Sequence, residues 1–432
     1  MDERVEKKVE TGIETRTGVS RSGRALGNLR TFSSLKNRVY RFYYAGMLGQ
    51  MASMNMQQIA SGLLLERLTG SPAIVGLMSL ANAIPMLVFS LFGGVIADRI
   101  EKKLMLILGQ AAFAVLSLGV AIALNVDYLS AARQGSWWIL VLSSGLQGVV
   151  MGLAMPSRAA IINDIVSGEE LMNAISLNFM GMNALQLVAP VAAGFLVDAF
   201  DFKAVYYAMT VFYLIAIVLF TFVAATGKRA APRGNAVTQV KQGLEYVWRQ
   251  ENIRLVLFLS VAAVVLSSPW GMLMPFFVDD ILHVGAGGMG ILLSTSGAGA
   301  VLASILLASL PNRRRGMIML VGALLLGLSL CGFASSRLWL LSLLLIALVG
   351  IGGTLTMTLT NTLVQYYADD NYRGRVMSLF MMQFGLASFG NFASGLIGQE
   401  FGVQWAVGSF AIVLVLVAVF ALAVLPQIRM LD

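Results

Sequence analysis

The chain has 432 residues, 58% of them hydrophobic and only 12% charged, and its 30 basic and 22 acidic residues leave a net charge of +8. Soluble domains carry about a quarter charged residues, so this composition excludes an ordinary soluble protein, and its hydrophobicity excludes a disordered one. One cysteine, Cys331, and one histidine, His283, exclude a disulfide scaffold and a Cys/His metal cluster, and no cofactor is expected.

The first 38 residues hold 14 charges and no apolar run. They lack the hydrophobic region of a signal peptide, so residues 1–38 are predicted to be a disordered cytosolic tail and the first span to act as the insertion signal. Apolar stretches of the length that crosses a bilayer, about 20 residues, follow at 39–66, 72–97, 103–126, 136–163, 171–199 and 204–226. A second set runs at 254–278, 286–310, 316–335, 338–366, 376–401 and 404–425. The runs are unbroken and do not alternate as barrel strands do. The expected fold is an all-α membrane protein with 12 transmembrane helices, a six-helix bundle over 39–226 and another over 254–426.

Orientation follows from where Lys and Arg collect. With the amino terminus inside, only Arg67, Arg133, Lys203 and Arg337 fall on the outer face, leaving 26 of the 30 basic residues at the inner one. The net charge is therefore a topology signal, with no nucleic-acid partner implied. Both termini, including the tail 427–432, are expected in the cytosol. Trp137, Trp138, Trp339 and Trp405 stand where spans start from the outer side, as an aromatic belt requires. Between the halves, in the linker 227–253, Val237, Val240, Leu244 and Val247 repeat at helical spacing, which predicts an amphipathic helix on the inner membrane surface.

The halves also repeat. Asn173-Ala174-Ile175-Ser176-Leu177 matches Arg375-Val376-Met377-Ser378-Leu379 at an offset of 202, which sets Asp198 against Glu400. Leu108-Gly109 matches Val321-Gly322 at an offset of 213. Similar six-span halves are the pattern of a transporter whose central site lies between two bundles.

After the second span comes Gly94-Val95-Ile96-Ala97-Asp98-Arg99-Ile100-Glu101-Lys102-Lys103. This segment resembles the signature of the major facilitator superfamily: Gly, three residues, Asp-Arg, then basic residues. Glu101 stands where the family usually has a second glycine. Gly152-Leu153-Ala154-Met155-Pro156-Ser157-Arg158 and Arg373-Gly374-Arg375-Val376-Met377-Ser378 resemble the branch that contains enterobactin and macrolide exporters. Ala189-Pro190-Val191-Ala192-Ala193-Gly194 matches the family's antiporter motif only in Pro190 and Gly194. The resemblance implies that Gly94, Asp98, Arg99 and Lys102 form a cytosolic gate, with Arg158 as the cationic partner of Asp98. A plain charged stop between two helices is the other reading of these residues.

In that fold, spans one, four, seven and ten face the central cavity. Span one carries Met51, Asn55 and Gln58; span four carries Ser144, Gln147, Met151 and Met155; span ten carries Thr354, Thr358, Asn361 and Gln365. Residues three and four apart share a helix face, and polar groups toward lipid are expensive, so these stripes face either a pathway or a packed helix. Pro269, Trp270, Gly271 and Pro275 predict a kink or break in the outer half of span seven. The middle of these four spans holds no Asp, Glu, Lys or Arg, which favours a neutral or amphipathic small-molecule substrate. For a proton as coupling ion the candidates are Asp98, Asp198, Glu400 and Glu66, all near span ends; His283 reads as a loop residue beside Asp279 and Asp280, and Cys331 as packing. No nucleophile–base pair or phosphate loop is present, so the expectation is no enzyme but a monomeric secondary transporter of the cytoplasmic membrane. Efflux of drug- or siderophore-like molecules leads. Lipid or metabolite transport, uptake included, and a non-transporting sensor or scaffold in contact with membrane lipids are the other readings.

Overall fold

Inside a bilayer a backbone amide finds no water, so each long apolar run closes its hydrogen bonds on itself as a helix. The computed structural model describes residues 30–133, 135–166, 168–223, 236–310 and 313–431, with side chains at all of these except 30–32, 91–99, 155–157, 159–160, 163, 169 and 236–240. The N-terminal half contains α1 (Arg38–Thr69), α2 (Pro72–Arg99), α3 (Lys102–Asn125), α4 (Trp138–Ile165), α5 (Glu169–Phe200) and α6 (Phe202–Thr221). After α7 (Ala236–Arg249) come α8 (Glu251–Ser267) and α9 (Pro269–Phe276), the latter continued by a π-helical turn, Phe277–Ile281. The C-terminal half is completed by α10 (Gly285–Ser309), α11 (Arg315–Ser335), α12 (Trp339–Tyr367), α13 (Asp370–Phe401), α14 (Val403–Val424) and the short α15 (Pro426–Arg429). Ten of the described segments are long and apolar enough to cross a membrane, and α4 adds the shorter apolar stretch Trp138–Ala154. Helix α1 has the length, 32 residues, but interrupts its apolar run with Gln50, Asn55, Gln57 and Gln58.

The internal repeat is visible in the helix starts. α2 and α10 begin 213 residues apart, as do α3 and α11, whereas α4 and α12, α5 and α13, and α6 and α14 each begin 201 apart. The change of offset falls at one place: residues 126–137 link α3 to α4, and only residues 336–338 link α11 to α12.

Several boundaries differ from the sequence-based expectation for local reasons. Residues 30–36 form a 3-10 turn in which buried Ser34 bonds Asn173 through both its amide and its hydroxyl, at 3.0 and 2.7 Å, so the segment nearest α1 is packed; residues 1–29 lie outside the described residues. Asn37 then caps α1 by accepting from the amides of Val39 and Tyr40. At the other terminus Ile428 and Leu431 are buried and the Gly316 amide bonds the Leu431 carbonyl at 3.1 Å, which docks α15 and the residues after it on α11. In the connector, α7 turns Val247 into the C-terminal half and stacks Tyr246 on Tyr372 of α13, while Leu244 and Trp248 are exposed. Val237 and Val240 lie outside the described side chains. The expected break in span seven is present: α8 stops at Ser267, and Ser268 donates to the carbonyl of Val265, which Pro269 leaves without an amide partner.

We call the end of the molecule that carries α7 and the start of α1 the connector end, and the opposite one the far end. Helices α2 and α13 pair across the halves, α5 and α10 do the same, and α1 meets α9.

Candidate functional site

The far end is where the halves touch. On α5, a Cβ at Gly194 would overlap the carbonyl oxygen of Ala286 in α10, and on α13 one at Gly395 would overlap the carbonyl of Pro72 in α2. The glycines let these backbones approach closely. Polar contacts join the same helix pairs. Asp198 accepts from the Gly287 amide at 2.8 Å, in the first turn of α10, where the helix dipole favours an anion. In the repeat-related place Ser71 donates to Gln399 at 2.6 Å, one residue before Glu400. Deeper in, Asn391 donates to Ser79 at 3.1 Å. Helix α1 ends because Gly70 adopts a left-handed backbone (φ 57°), and its last turn presents Arg67, whose guanidinium donates to Asp279 in the π turn at 2.9 Å. Next to Arg67, Glu66 is buried.

Among the described glycines, the cross-half contact farthest from the far end is that of Gly385 in α13 with Leu87 in α2. Toward the connector end, α4 and α12 each pack on helices of their own half. Of the candidate cavity residues, Gln58 and Thr358 are exposed, and Asn55, Gln147, Thr354, Asn361 and Trp270 are partly exposed. Their described hydrogen bonds stay at home: Asn55 donates to the Met51 carbonyl, Gln147 to Ser143, and Gln365 to Asn361, each within one helix. Bonding between helices is instead found at Ser144, which donates to the Met78 carbonyl and accepts from Asn82 through its own carbonyl. Helix α12 separates the two uses cleanly. Thr356 and Thr360 are buried in the C-terminal half, Thr360 against Met319 of α11, while Thr354, Thr358 and Asn361 line the opposite face. Trp270 packs on the main core.

Met51 and Met151 sit elsewhere than on that face. Met51 is buried, and Met151 lines a small cavity between α1, α3 and α4 together with Gln50, Gln110 and Arg158. Arg158 does not reach for the connector-end surface: its guanidinium lies 3.5 Å from the sulfur of Met51, thirteen residues into α1. No carboxylate meets it among the described residues. Lys102 pairs with Asp164 at 2.6 Å, a contact within the N-terminal half that joins the start of α3 to the end of α4. Gly94, Asp98 and Arg99 belong to the last turns of α2, and the expected Asp98–Arg158 pairing lies outside the described side chains. Glu400 and its repeat partner Asp198 are both exposed, and Asp198 bonds the Gly287 amide. His283 is exposed and bonds the Asp279 carbonyl through Nδ1 at 2.7 Å. Among the described residues no group of His, Cys, Asp and Glu is arranged to hold a metal ion.

A family model for the Major Facilitator Superfamily matches residues 44–388 and, again, 259–430. The chain belongs to this superfamily. Its relatives include the staphyloferrin A transporter of Staphylococcus aureus (strain NCTC 8325 / PS 47), 21% identical over 76% of this chain and 82% of that protein. The enterobactin exporter EntS of Shigella boydii serotype 4 (strain Sb227) is 21% identical over 82% and 84%. Among solved structures, a peptide transporter POT in complex with sulfate superposes with a TM-score of 0.72 at 14% identity, covering 92% of this chain and 96% of that one. At that identity the likeness is one of fold.

Against this superfamily fold, the far-end contacts are what the sequence did not announce. Glu66 was a candidate for the coupling proton, but Arg67, Asp279 and Gly287 look like ordinary span ends in one dimension. The available signal was positional: acids and a base closing spans one and seven, which the repeat makes counterparts.

Proposed function

We propose that the chain is a secondary transporter of the cytoplasmic membrane that exports small neutral or amphipathic molecules of siderophore type by alternating access, with both termini in the cytosol. The observation that carries this reading is the asymmetry of the interface. The halves meet at the far end through α2 with α13 and α5 with α10, whereas Asn55 and Gln147, near mid-span, and Thr358 and Asn361 of α12, nearer the connector end, make no described bond to another helix. Polar groups turned to lipid would be costly, so these face the gap between the halves. A gap open at one end of a two-bundle fold is one of the two states that alternating access requires. Similarity to a siderophore transporter and a siderophore exporter supports the substrate class, and the excess of Lys and Arg at the connector end supports its placement in the cytosol.

The test uses purified protein in proteoliposomes and counterflow of a labelled siderophore, with a drug, a lipid and a sugar as comparison substrates. Accumulation of the siderophore, with Thr358→Val and Gln147→Leu changing the order of preference among substrates, is the expected result. Exchange of the lipid or the sugar instead would replace the substrate class, and no exchange of anything would remove the transport reading.

A further inference from the structure

Arg158 leaves the backbone about two turns before the end of α4, and its side chain runs inward to Met51, in the middle third of α1. The charge thus stands deeper than its residue number suggests, in a small cavity between α1, α3 and α4 that Gln50 and Gln110 also line. A guanidinium carries five N–H donors. The acceptor described for this one is the Met51 sulfur at 3.5 Å, a weak partner. Carboxylates of the same half are engaged elsewhere: Asp164 pairs with Lys102, and Asp198 accepts from the Gly287 amide. The two amides beside Arg158 are idle as well. Gln50 and Gln110 are 5% and 1% exposed, neither makes a described hydrogen bond, and the Gln110 Oε1 atom is buried without a partner. A charge drawn out of water is costly unless something answers it, and buried amides are normally bonded. A water molecule would serve the amides and leave the charge unanswered. An anion answers all three groups, since an amide presents its NH2 by turning over.

We propose that this cavity binds one carboxylate group, held by the Arg158 guanidinium with the Gln50 and Gln110 amides beside it. The planar fork of a guanidinium matches a carboxylate with two parallel hydrogen bonds. The space has room for one small polar group and none for a whole substrate. Access is available, because Arg158 is partly exposed and α1 and α4 touch each other only lightly. Two sources supply such a group. One is an amphipathic transported molecule whose apolar remainder stays between the halves; this source rests on the transport reading and gives its substrate an acid. The other is a free small carboxylate, which needs no transport. Either way the middle of span four, neutral by residue number, is served by a cation.

The experiment follows thermal melting of the purified full-length chain at low salt, with benzoate, benzamide or acetate titrated in and each titration repeated on Arg158→Met. Benzoate should raise the wild-type melting temperature to saturation, and benzamide, of the same shape without the charge, should not. In Arg158→Met the benzoate midpoint should weaken about tenfold or more, the loss of hydrogen bonds to a charged group. Arg158→Lys, which keeps the charge without the fork, and Gln110→Leu should fall between and guard against a folding defect in the first variant. With nothing added, Arg158→Met should melt no lower than the wild type, because an unanswered cation has been removed. Acetate as effective as benzoate assigns the site to a free small carboxylate, and benzoate at least tenfold stronger assigns it to a carboxylate on a larger molecule. No shift from benzoate or acetate, benzamide acting as benzoate does, or equal benzoate midpoints in wild type and Arg158→Met overturns the proposal. So does an Arg158→Met chain that melts lower without ligand, since Arg158 would then be paired within the chain. Arg158-dependent benzoate binding in a protein that exchanges no substrate would leave the carboxylate site standing and remove the transport reading instead.

Discussion

At the far end, glycines of α5 and α13 bring two helix pairs into backbone contact, Asp198 docks on the first turn of α10, and Arg67 reaches Asp279 across the halves. At the connector end, the ion pairs Lys102–Asp164 and Arg373–Asp370 each lie inside one half, and Gln365 of α12 bonds Asn361 of its own helix. The contrast separates two tasks. Close packing of small residues makes a surface that is either fully formed or fully parted, because packed interfaces are bistable. Loosely held amides and hydroxyls make a surface that can rebond to a ligand. A transporter needs both, at different depths.

The largest break in that contrast should come from the glycines. Gly194→Leu fills a position where even a Cβ overlaps the Ala286 carbonyl. Overpacking costs about 1–3 kcal/mol, so the ratio of closed to open far end should fall about 5–150-fold. Distances between spin labels on far-end loops of the two halves should lengthen and counterflow should fall in step, with folded yield nearly unchanged. A folded, fully active Gly194→Leu protein would mean the far-end contact is incidental. A smaller effect distinguishes the two repeat-related acids. Asp198→Asn removes a charge at a helix amino terminus, worth about 0.3–1 kcal/mol, and should open the far end about two- to fivefold, while Glu400→Gln should change nothing. Equal effects would show that the acids act through general surface charge. The smallest change is expected on α12. Thr358→Val should shift substrate preference by about fivefold, the loss of one hydrogen bond, and leave melting temperature alone, whereas Thr356→Val, on the packed face, should do the reverse. Loss of stability at Thr358 would return that residue to helix packing.

Much of the fold was legible in one dimension, and the reason is the bilayer. Apolar length dictates the helices, the two offsets of 202 and 213 already contain the shift introduced by the α3–α4 loop, and Pro269 marks the break in span seven. Asn55, Gln147, Thr358 and Asn361 were likewise readable as a candidate pathway from their spacing. Other features were not. The docking of Ser34 and of Leu431 depends on partners far along the chain, Asn173 and Gly316. Arg158 was placed near the inner end of its span by residue number, but its long side chain runs back to Met51. Met51 and Met151 share helical spacing with the polar stripe yet rotate into the N-terminal half, since a flexible thioether fills internal gaps. Glu66 and Asp198 were named from the sequence but their surroundings were not, for a related reason: α1 and the π turn are adjacent only after the halves assemble.

The central claim is that the far end is closed while the polar faces near the connector end are accessible, and that transport needs the two to exchange. Ser71 and Gln399, whose side chains bond at 2.6 Å, can be replaced by cysteines in a Cys331→Ala background that also carries Thr358→Cys. Oxidation should join S71C to Q399C, stop counterflow reversibly, and leave the cysteine at 358 open to a membrane-impermeant maleimide from the connector side. Continued counterflow through the cross-linked protein, or labelling at 358 from the far side, would contradict the account.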